Sequence, residues 1–561
     1  MKSRTSFFNK TVLRKDITRF APAWGLYLTA MLLLSLALFT EEEVYLAQML
    51  GVTIGIFAVV NFCYALVVTA LLFGDLFNAR LCNALHAMPM RREGWFLTHL
   101  TSGALFSVIP NLVVALCLMP QLGEYWYVAF IWLGGMTMNY LFFLGAATLA
   151  AMCTGSRFAM TLVYGLINFL SILAMWIVQY LYEPLLYGIE INAEPFVFFS
   201  PVSYLCSHEL EFLPFVNDYL RYAYHSDIGG WPYVTGIALI GLAMLAVALV
   251  LYRKRHLESA GDFITLRFLT PVFLTLYTLA AGMALFLFSR LFNTEQDYLF
   301  LAVGIVAGFI TGSMLLKRTV RVFKPATFVG MAVLAAVLFA SLGLTRLDAL
   351  GIVRYMPKAD TVEAVSIGYG SSTVFSYTAK DQDEIRELMD IHQEFIDERN
   401  TDAPVWYNSI YMTYRLDNGK TVTRKYRMDF TTQAAIDLAP WFSKAEYVLG
   451  ANDVAEFAQR VKYIEIENYN DKYYPDTAIE PFQLLETEEE IRSLLDAIFA
   501  DCEAGRMIQD LEYYSSFSDE PYSIGYINIH LTNDTNLCLS LWKDNISTYN
   551  WLQDNLWESE N

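Results

Sequence analysis

Long apolar runs separated by short polar stretches dominate the first 346 positions of the chain. Nine of them carry no charged residue, at roughly 20–40, 49–74, 98–119, 127–152, 158–182, 233–252, 270–289, 298–316 and 326–345. Each can cross a hydrocarbon core of about 30 Å at about 1.5 Å per residue, so the pattern predicts an α-helical polytopic membrane bundle of about nine spans. The leader, residues 1–19, is different. Phe7, Phe8, Val12, Leu13, Ile17 and Phe20 alternate there with Lys10, Arg14, Lys15 and Arg19, the spacing of an amphipathic helix lying in the interface. A basic topogenic flank is the alternative. No small-residue cleavage site follows the leader, so it does not read as a removable signal peptide.

Past residue 346 the period changes. A strand-like stretch, Val362 to Tyr377, precedes a helical pattern over Asp381–Arg399 with Ile385, Leu388, Met389, Ile391 and Phe395 on one side. A hairpin follows around Asp417-Asn-Gly419, then a helix over Thr432–Phe442. The same order recurs as strand Lys462–Glu467, helix Glu488–Cys502, hairpin Tyr522–Leu531 and Leu537–Trp542, and helix Thr548–Leu556. The expectation is an α+β domain built as a tandem β-α-ββ-α repeat. Thr487 and Glu490 have capping-box spacing at the start of the second long helix.

Charge separates the two halves further. Of 57 acidic residues 39 lie beyond position 346, against 17 of the 38 basic ones, so the acidity of the chain belongs to the second half. Mean hydropathy is nonetheless +0.37, as a membrane protein requires. Basic residues crowd the leader and every second loop: Arg80, Arg91 and Arg92; Arg157; Arg253, Lys254, Arg255 and Arg267; Lys317, Arg318, Arg321 and Lys324. The intervening loops hold few. The positive-inside rule therefore predicts a cytoplasmic amino terminus in the cell membrane, and an odd span count places the acidic domain outside. The expected organisation is a leader (1–19), a six-span core (20–252), three further spans (253–346) and an extracytoplasmic domain (347–561).

Chemistry is sparse. Ion-coupled transporters and membrane enzymes place ionisable groups near the midplane, whereas these spans offer Asn61, Asn139, Asn168 and Gln179, which suit interhelical hydrogen bonds. His99 is the lone histidine near a span end. In the acidic half His392 and His530 form no zinc set, and the acidic clusters at Asp381 and Glu488 lack a calcium loop. No catalytic residue, metal or cofactor is expected on this chain. No G-x-x-x-x-G-K-[ST] loop is present; Gly368-Tyr-Gly370-Ser-Ser lacks its lysine. If ATP drives the protein, another subunit binds it.

The segment placed to receive such a push is Asp75 to Phe96. Phe77, Leu81 and Leu85 fall four apart and predict a short helix with one apolar face; His86 and Met88 follow, Pro89 breaks it, and Arg91-Arg92 restart the chain. This loop resembles the "leucine-proline, then paired basic" cytoplasmic loop of ABC-2-type transporter permeases, with Met88 in place of the usual leucine. The basic leader running into Phe20-Ala-Pro-Ala-Trp24, the outer segment Phe198-Phe-Ser-Pro201-Val-Ser-Tyr and the basic exit Arg253-Lys-Arg-His add to the likeness. The appended spans and outer domain are similar to the Ytr-type permeases of Firmicutes. The resemblance implies a non-catalytic subunit that pairs with a second permease, the same or a related chain, and with ABC ATPase subunits carrying ATP and Mg. It implies short outer helices dipping into the membrane at Pro201. It also implies that Phe77, Leu81, Leu85, His86, Met88, Pro89, Arg91 and Arg92 couple the spans to the ATPase.

Small residues mark helix contacts: Gly51 and Gly55 in the second span, and Gly304, Gly308 and Gly312 in the eighth. A Cys502–Cys538 disulfide is one option for the outer cysteines. The leading functional expectation is export or clearance of an amphiphilic or peptide-like compound, with no nucleic-acid partner. A membrane-anchored receptor whose acidic domain senses a ligand is the alternative, and a membrane enzyme is the third class.

Overall fold

The computed structural model describes residues 8–37, 43–86, 91–208, 230–255, 260–292, 296–369, 376–398, 409–427, 432–468, 482–508, 523–533 and 535–556. They form two compact units, one from Met1–Leu181 with Asn192–Ser341, the other from Tyr182–Ile191 with Leu342–Asn561.

The first unit is a membrane-type helical bundle. Its helices are α1 (Lys10–Arg19), α2 (Ala21–Ala37), α3 (Glu43–Leu72), α4 (Ala79–His86), α5 (Arg92–Leu118), α6 (Val128–Cys153), α7 (Arg157–Ile177), α8 (Glu194–Phe198), α9 (Pro201–Ser207), α10 (Trp231–Lys254), α11 (Leu269–Leu291), α12 (Asp297–Lys317) and α13 (Pro325–Arg346). Among the described residues eight helices are long and apolar enough to cross a membrane, and they match the second to ninth expected spans. The first expected span is the shorter α2, bent by 62° from α1; its expected end, 38–40, lies outside the described residues.

Packing relies on close backbone approach. A Cβ on Gly241 of α10 would lie 2.7 Å from the Phe142 Cα, and one on Gly145 of α6 only 2.4 Å from the Gly241 carbonyl oxygen, so these two helices cross in direct backbone contact. The sequence pattern gave these two glycines no periodic mark. Gly304, Gly308 and Gly312 of α12 face α11, where added Cβ atoms would meet Gly282, Ala281 and Leu274 at 2.6–2.9 Å. Gly55 faces α9, with the Leu205 carbonyl oxygen 2.2 Å from a would-be Cβ, and Gly51 is buried one turn earlier.

Several polar side chains in the bundle meet one another or a backbone carbonyl. Pro110 of α5 has no N–H to give the Phe106 carbonyl, and the Tyr64 hydroxyl supplies that donor at 2.9 Å. Asn61 meets the Tyr27 hydroxyl at 3.1 Å and Asn139 donates to the Ile54 carbonyl at 3.3 Å, both between helices. Asn168 instead donates to the Tyr164 carbonyl one turn earlier on its own helix, at 2.8 Å.

The second unit holds two antiparallel four-stranded sheets. The first has β1 (Val362–Tyr369), β2 (Ser376–Ala379), β3 (Ser409–Leu416) and β4 (Thr421–Arg427) in the order β2-β1-β3-β4. The second has β5 (Val461–Asn468), β6 (Phe482–Leu485), β7 (Gly525–Leu531) and β8 (Asn536–Leu541) in the order β6-β5-β7-β8. In each copy the long helix, α14 (Gln382–Glu398) or α18 (Glu488–Glu503), lies between the second and third strands, and two short helices, α16 (Ala445–Leu449) and α17 (Val454–Ala458), stand between the copies in chain order. The repeat is therefore ββαββα, one strand more per copy than β-α-ββ-α. The strands that periodicity missed, β2 and β6, are four residues each, too short to show alternation.

The copies agree in detail. Each first strand is irregular at its start, at Val362/Ala364 and at Val461/Tyr463. At the end of α14 the Glu398 carboxylate accepts from Gln433 N (3.1 Å) at the start of α15 (Gln433–Leu438). At the end of α18 the buried Asp501 accepts from Ser547 N (3.0 Å) and Thr548 N (2.8 Å) at the start of α19 (Ile546–Asn555). A carboxylate closing one helix thus caps the next in both copies. One continuous core joins them, from Val365 and Tyr414 to Leu494 and Trp542. The Asp417-Asn-Gly419 turn is a three-residue loop with Gly419 alone at positive φ (76°), the bulged hairpin rather than the two-residue one. Cys502 is buried with a free thiol, as Cys538 is free at the surface.

The segment Tyr182–Ile191 lies alongside β4. Lys425 N donates to the Gly188 carbonyl at 3.1 Å, Lys425 Nζ meets Glu190, and Gly188 at φ 77° lies flat against the Tyr426 ring, where a Cβ would come within 2.5 Å. No hydrophobic signal announced this strap.

Candidate functional site

The ends of α3, α5, α6, α7 and α10 that carry the basic loops meet at one end of the first unit. The chain leaves α3 through a turn at Gly74–Phe77 and reaches Asn78, whose backbone is extended (φ −122°). The Asn78 side chain accepts from Arg80 N (3.0 Å), starting α4 afresh. Phe77 therefore does not share a helical face with Leu81 and Leu85. It packs against the bundle core from the preceding turn, because an asparagine cap interrupts the i, i+4 spacing read across it. On α4, Cys82 is buried, whereas Ala79, Arg80, Leu81, Asn83 and Ala84 are exposed, Leu81 at 48%. The side chains of Leu85 and His86, and all of Met88 and Pro89, lie outside the described residues. Arg91 is the extended residue before α5 and Arg92 its first residue.

Beneath α4 sits Arg255. Its guanidinium donates to the Ala151 carbonyl (2.8 Å) at the end of α6 and to the Leu76 carbonyl (3.3 Å) in the turn before α4. A cation at a helix C-terminus satisfies carbonyls that have no intrahelical donor. Arg92 in turn donates to the Arg255 carbonyl at 3.2 Å, and Glu93 pairs with Arg253 at 3.1 Å. The loop beyond α10 closes on α6 and α7 through Thr265 N to Cys153 O (2.9 Å) and Gly261 N to Gly155 O (2.8 Å). One arginine thus ties the loop before α4 to the start of α5 and the ends of α6 and α10. Burial pushes the Cys82 thiol up, with Arg255 and Arg92 pulling against it, which keeps it protonated and unreactive.

The leader also differs from expectation in one respect. α1 is capped by Asn9, which accepts from Thr11 N at 2.9 Å, and its cations Arg14, Lys15 and Arg19 are exposed. Asp16 points the other way and is buried. Its Oδ2 accepts from His99 Nδ1 and from the Ser102 hydroxyl, both at 2.8 Å. His99 has a carboxylate partner 83 positions away, which no local pattern could reveal. Its Nε2 is buried and has no hydrogen-bond partner among the described residues. A cavity of about 480 Å³ adjoins it, bounded by α1, the end of α3, α4 and Trp95. A second, of about 400 Å³, shares Arg19, Asp75 and Leu81 and reaches Arg157.

In the acidic unit His392 lies wholly buried between Tyr414 and Tyr426, each hydroxyl 2.6 Å from a ring nitrogen. Burial, with Arg424 nearby, pulls its pKa down to about 3, so the ring is neutral and part of the core. Burial raises the Glu384 carboxyl, but Lys444 (2.8 Å) and Tyr377 outweigh it and hold it below the usual range. Among the described residues no group of three or more His, Cys, Asp or Glu is placed to hold a metal ion. No family model matches the chain, and no curated protein or solved structure is significantly similar to it.

Proposed function

We propose that this chain is the permease subunit of an ATP-binding cassette transporter of the ABC-2 type, moving an amphiphilic or peptide-like compound. ATP and Mg would be bound by a separate ATPase subunit, and a second permease, the same or a related chain, would complete the pore. The observation that carries the reading is the arrangement of α4. This two-turn helix turns one described side chain, Cys82, inward and the rest outward, while Arg255 links the turn before it to span ends. Such a helix has a surface to be gripped and a rigid lever behind it, which a mere connection between spans does not need. In this reading the leader faces the cytoplasm and the acidic unit lies outside the cell membrane, as the placement of basic loops suggests.

The test is co-purification. The chain is co-expressed with candidate ABC ATPase subunits and purified by its own tag, as wild type and as Leu81→Asp with Arg80→Glu. Retention by wild type and loss in the variant supports docking at α4. Retention in both moves the contact elsewhere. If wild type retains no ATPase, the receptor reading replaces the transporter.

A further inference from the structure

The two sheets of the acidic unit treat their matching edges differently. In the first, the edge strand β4 carries Arg424, Lys425 and Arg427 and has the segment Tyr182–Ile191 alongside it, with Lys425 N donating to the Gly188 carbonyl. In the second, β8 ends the sheet, and β7 is its one ladder partner among the described residues. Leu531 N donates to the Thr535 carbonyl at 2.8 Å, so the register of the two strands turns the backbone groups of Leu537, Leu539 and Leu541 toward β7. Asn536 and Cys538 turn theirs to the outer edge, and both residues are exposed. The six residues Asn536-Leu-Cys-Leu-Ser-Leu541 include no charge and no proline, the devices by which an edge strand refuses a further strand. The opposite edges, β2 and β6, are only four residues each.

We propose that β8 pairs antiparallel with β8 of a second copy of this chain, about a two-fold axis at Cys538. The strand is self-complementary about that point. Cys538 lies opposite the partner's Cys538, Leu537 opposite the partner's Leu539 on the core side, and Asn536 opposite the partner's Ser540 on the outer side, as an isologous contact requires. An arbitrary peptide strand needs no such symmetry. Charge points the same way: the unit is strongly acidic, so two copies repel over most of their surface and can meet only where charge is absent. Glu465 and Glu467, on the same face as Cys538, lie on β5, two strands from the edge, and leave the seam uncharged. Six residues of edge alone fall short of the ~1,000 Å² that a stable interface buries. The inference therefore rests on the reading that two permeases pair in the membrane, here as two copies of this chain, which holds the two edges at high effective concentration.

The full chain, with the other exposed thiols Cys63, Cys117 and Cys206 replaced by Ser, is oxidised in membrane vesicles with copper(II) phenanthroline and run on a non-reducing gel. Its assembly state is read separately by native mass spectrometry from nanodiscs. Two facing Cys538 thiols give up two protons, and two electrons to copper(II), and form one S–S bond; Cα atoms about 5.5 Å apart in such a pair suit it. A dimer band is expected, and Cys538→Ser should abolish it. In that Cys538→Ser background Asn536→Cys alone should not restore the band, because the two thiols would stand about 13 Å apart along the strand, whereas Asn536→Cys with Ser540→Cys should restore it. A dimer by mass with no Cys538-dependent band, or a band restored by Asn536→Cys alone, would overturn the pairing with a second copy, leaving the edge for an extended peptide and the paired permease standing. A monomer by mass with no band would overturn both.

Discussion

Acidification should loosen the acidic unit through His392. The ring sits between two tyrosine hydroxyls at 2.6 Å, and its folded-state pKa is about 3, against about 6.5 for an exposed histidine. A base whose pKa is lowered on folding is bound by protons preferentially in the unfolded state, so its contribution is complete above about pH 6.5 and is lost as pH falls toward 3. From pH 7 to pH 5 the loss is about 2 kcal/mol, or roughly 25-fold in the opening equilibrium. Glu384, held below its usual value, keeps its own contribution until pH falls below about 4.5, whereas burial pushes the Glu394 carboxyl of the same helix up, so the comparison with a His392 variant is what isolates the histidine. The assay is hydrogen exchange on the full chain in nanodiscs, corrected for intrinsic rates, following Gln382–Glu398 and Ser409–Leu416. His392→Phe should start less protected and change little over that window. An equal loss of protection in wild type and His392→Phe would refute the reasoning.

Other expectations follow from single contacts. Asp501→Ala removes the ion pair of Arg506 and the acceptor of the first amides of α19, and should cost about 3–5 kcal/mol in thermal unfolding, whereas exposed Glu398→Ala at the matching place should cost under about 1 kcal/mol. Tyr64→Phe leaves the Phe106 carbonyl without a donor in an apolar bundle, a loss of about 1–3 kcal/mol measurable by thermal shift in detergent. Gly241→Val must push α10 off α6 and should lower the melting temperature more than Gly343→Val, a position with open space around it. Arg255→Met should lower substrate-stimulated ATPase activity of the proposed complex several-fold while ATPase retention on the column stays near wild type.

Much of this architecture is legible along the chain because water and lipid act residue by residue. Runs such as 128–153 and 298–316 declare themselves by length and lack of charge, and the alternation in Ser409–Leu416 declares a half-buried strand. The tandem repeat was visible for the same reason, down to the Thr487 cap. The four-residue strands β2 and β6 were not, since a strand that short pairs by virtue of its neighbours.

The candidate site lay mostly beyond that reach. Sequence spacing located α4 and the paired arginines but joined Phe77 to the wrong face, because a side-chain cap at Asn78 overrides apolar periodicity over one turn. Arg255 counted as a loop cation and as part of the basic exit Arg253-Lys-Arg-His, and nothing singled out Asp16. What made the first a clamp and the second the partner of His99 is proximity between residues 83 to 179 positions apart. Sequence alone determined which segments shun water, where the basic loops fall and that the second half repeats, since these follow from local transfer free energies and periods. Only the tertiary structure decided which polar groups those segments bring within 3 Å of one another, because hydrogen bonds and close glycine contacts depend on geometry that the linear order does not encode.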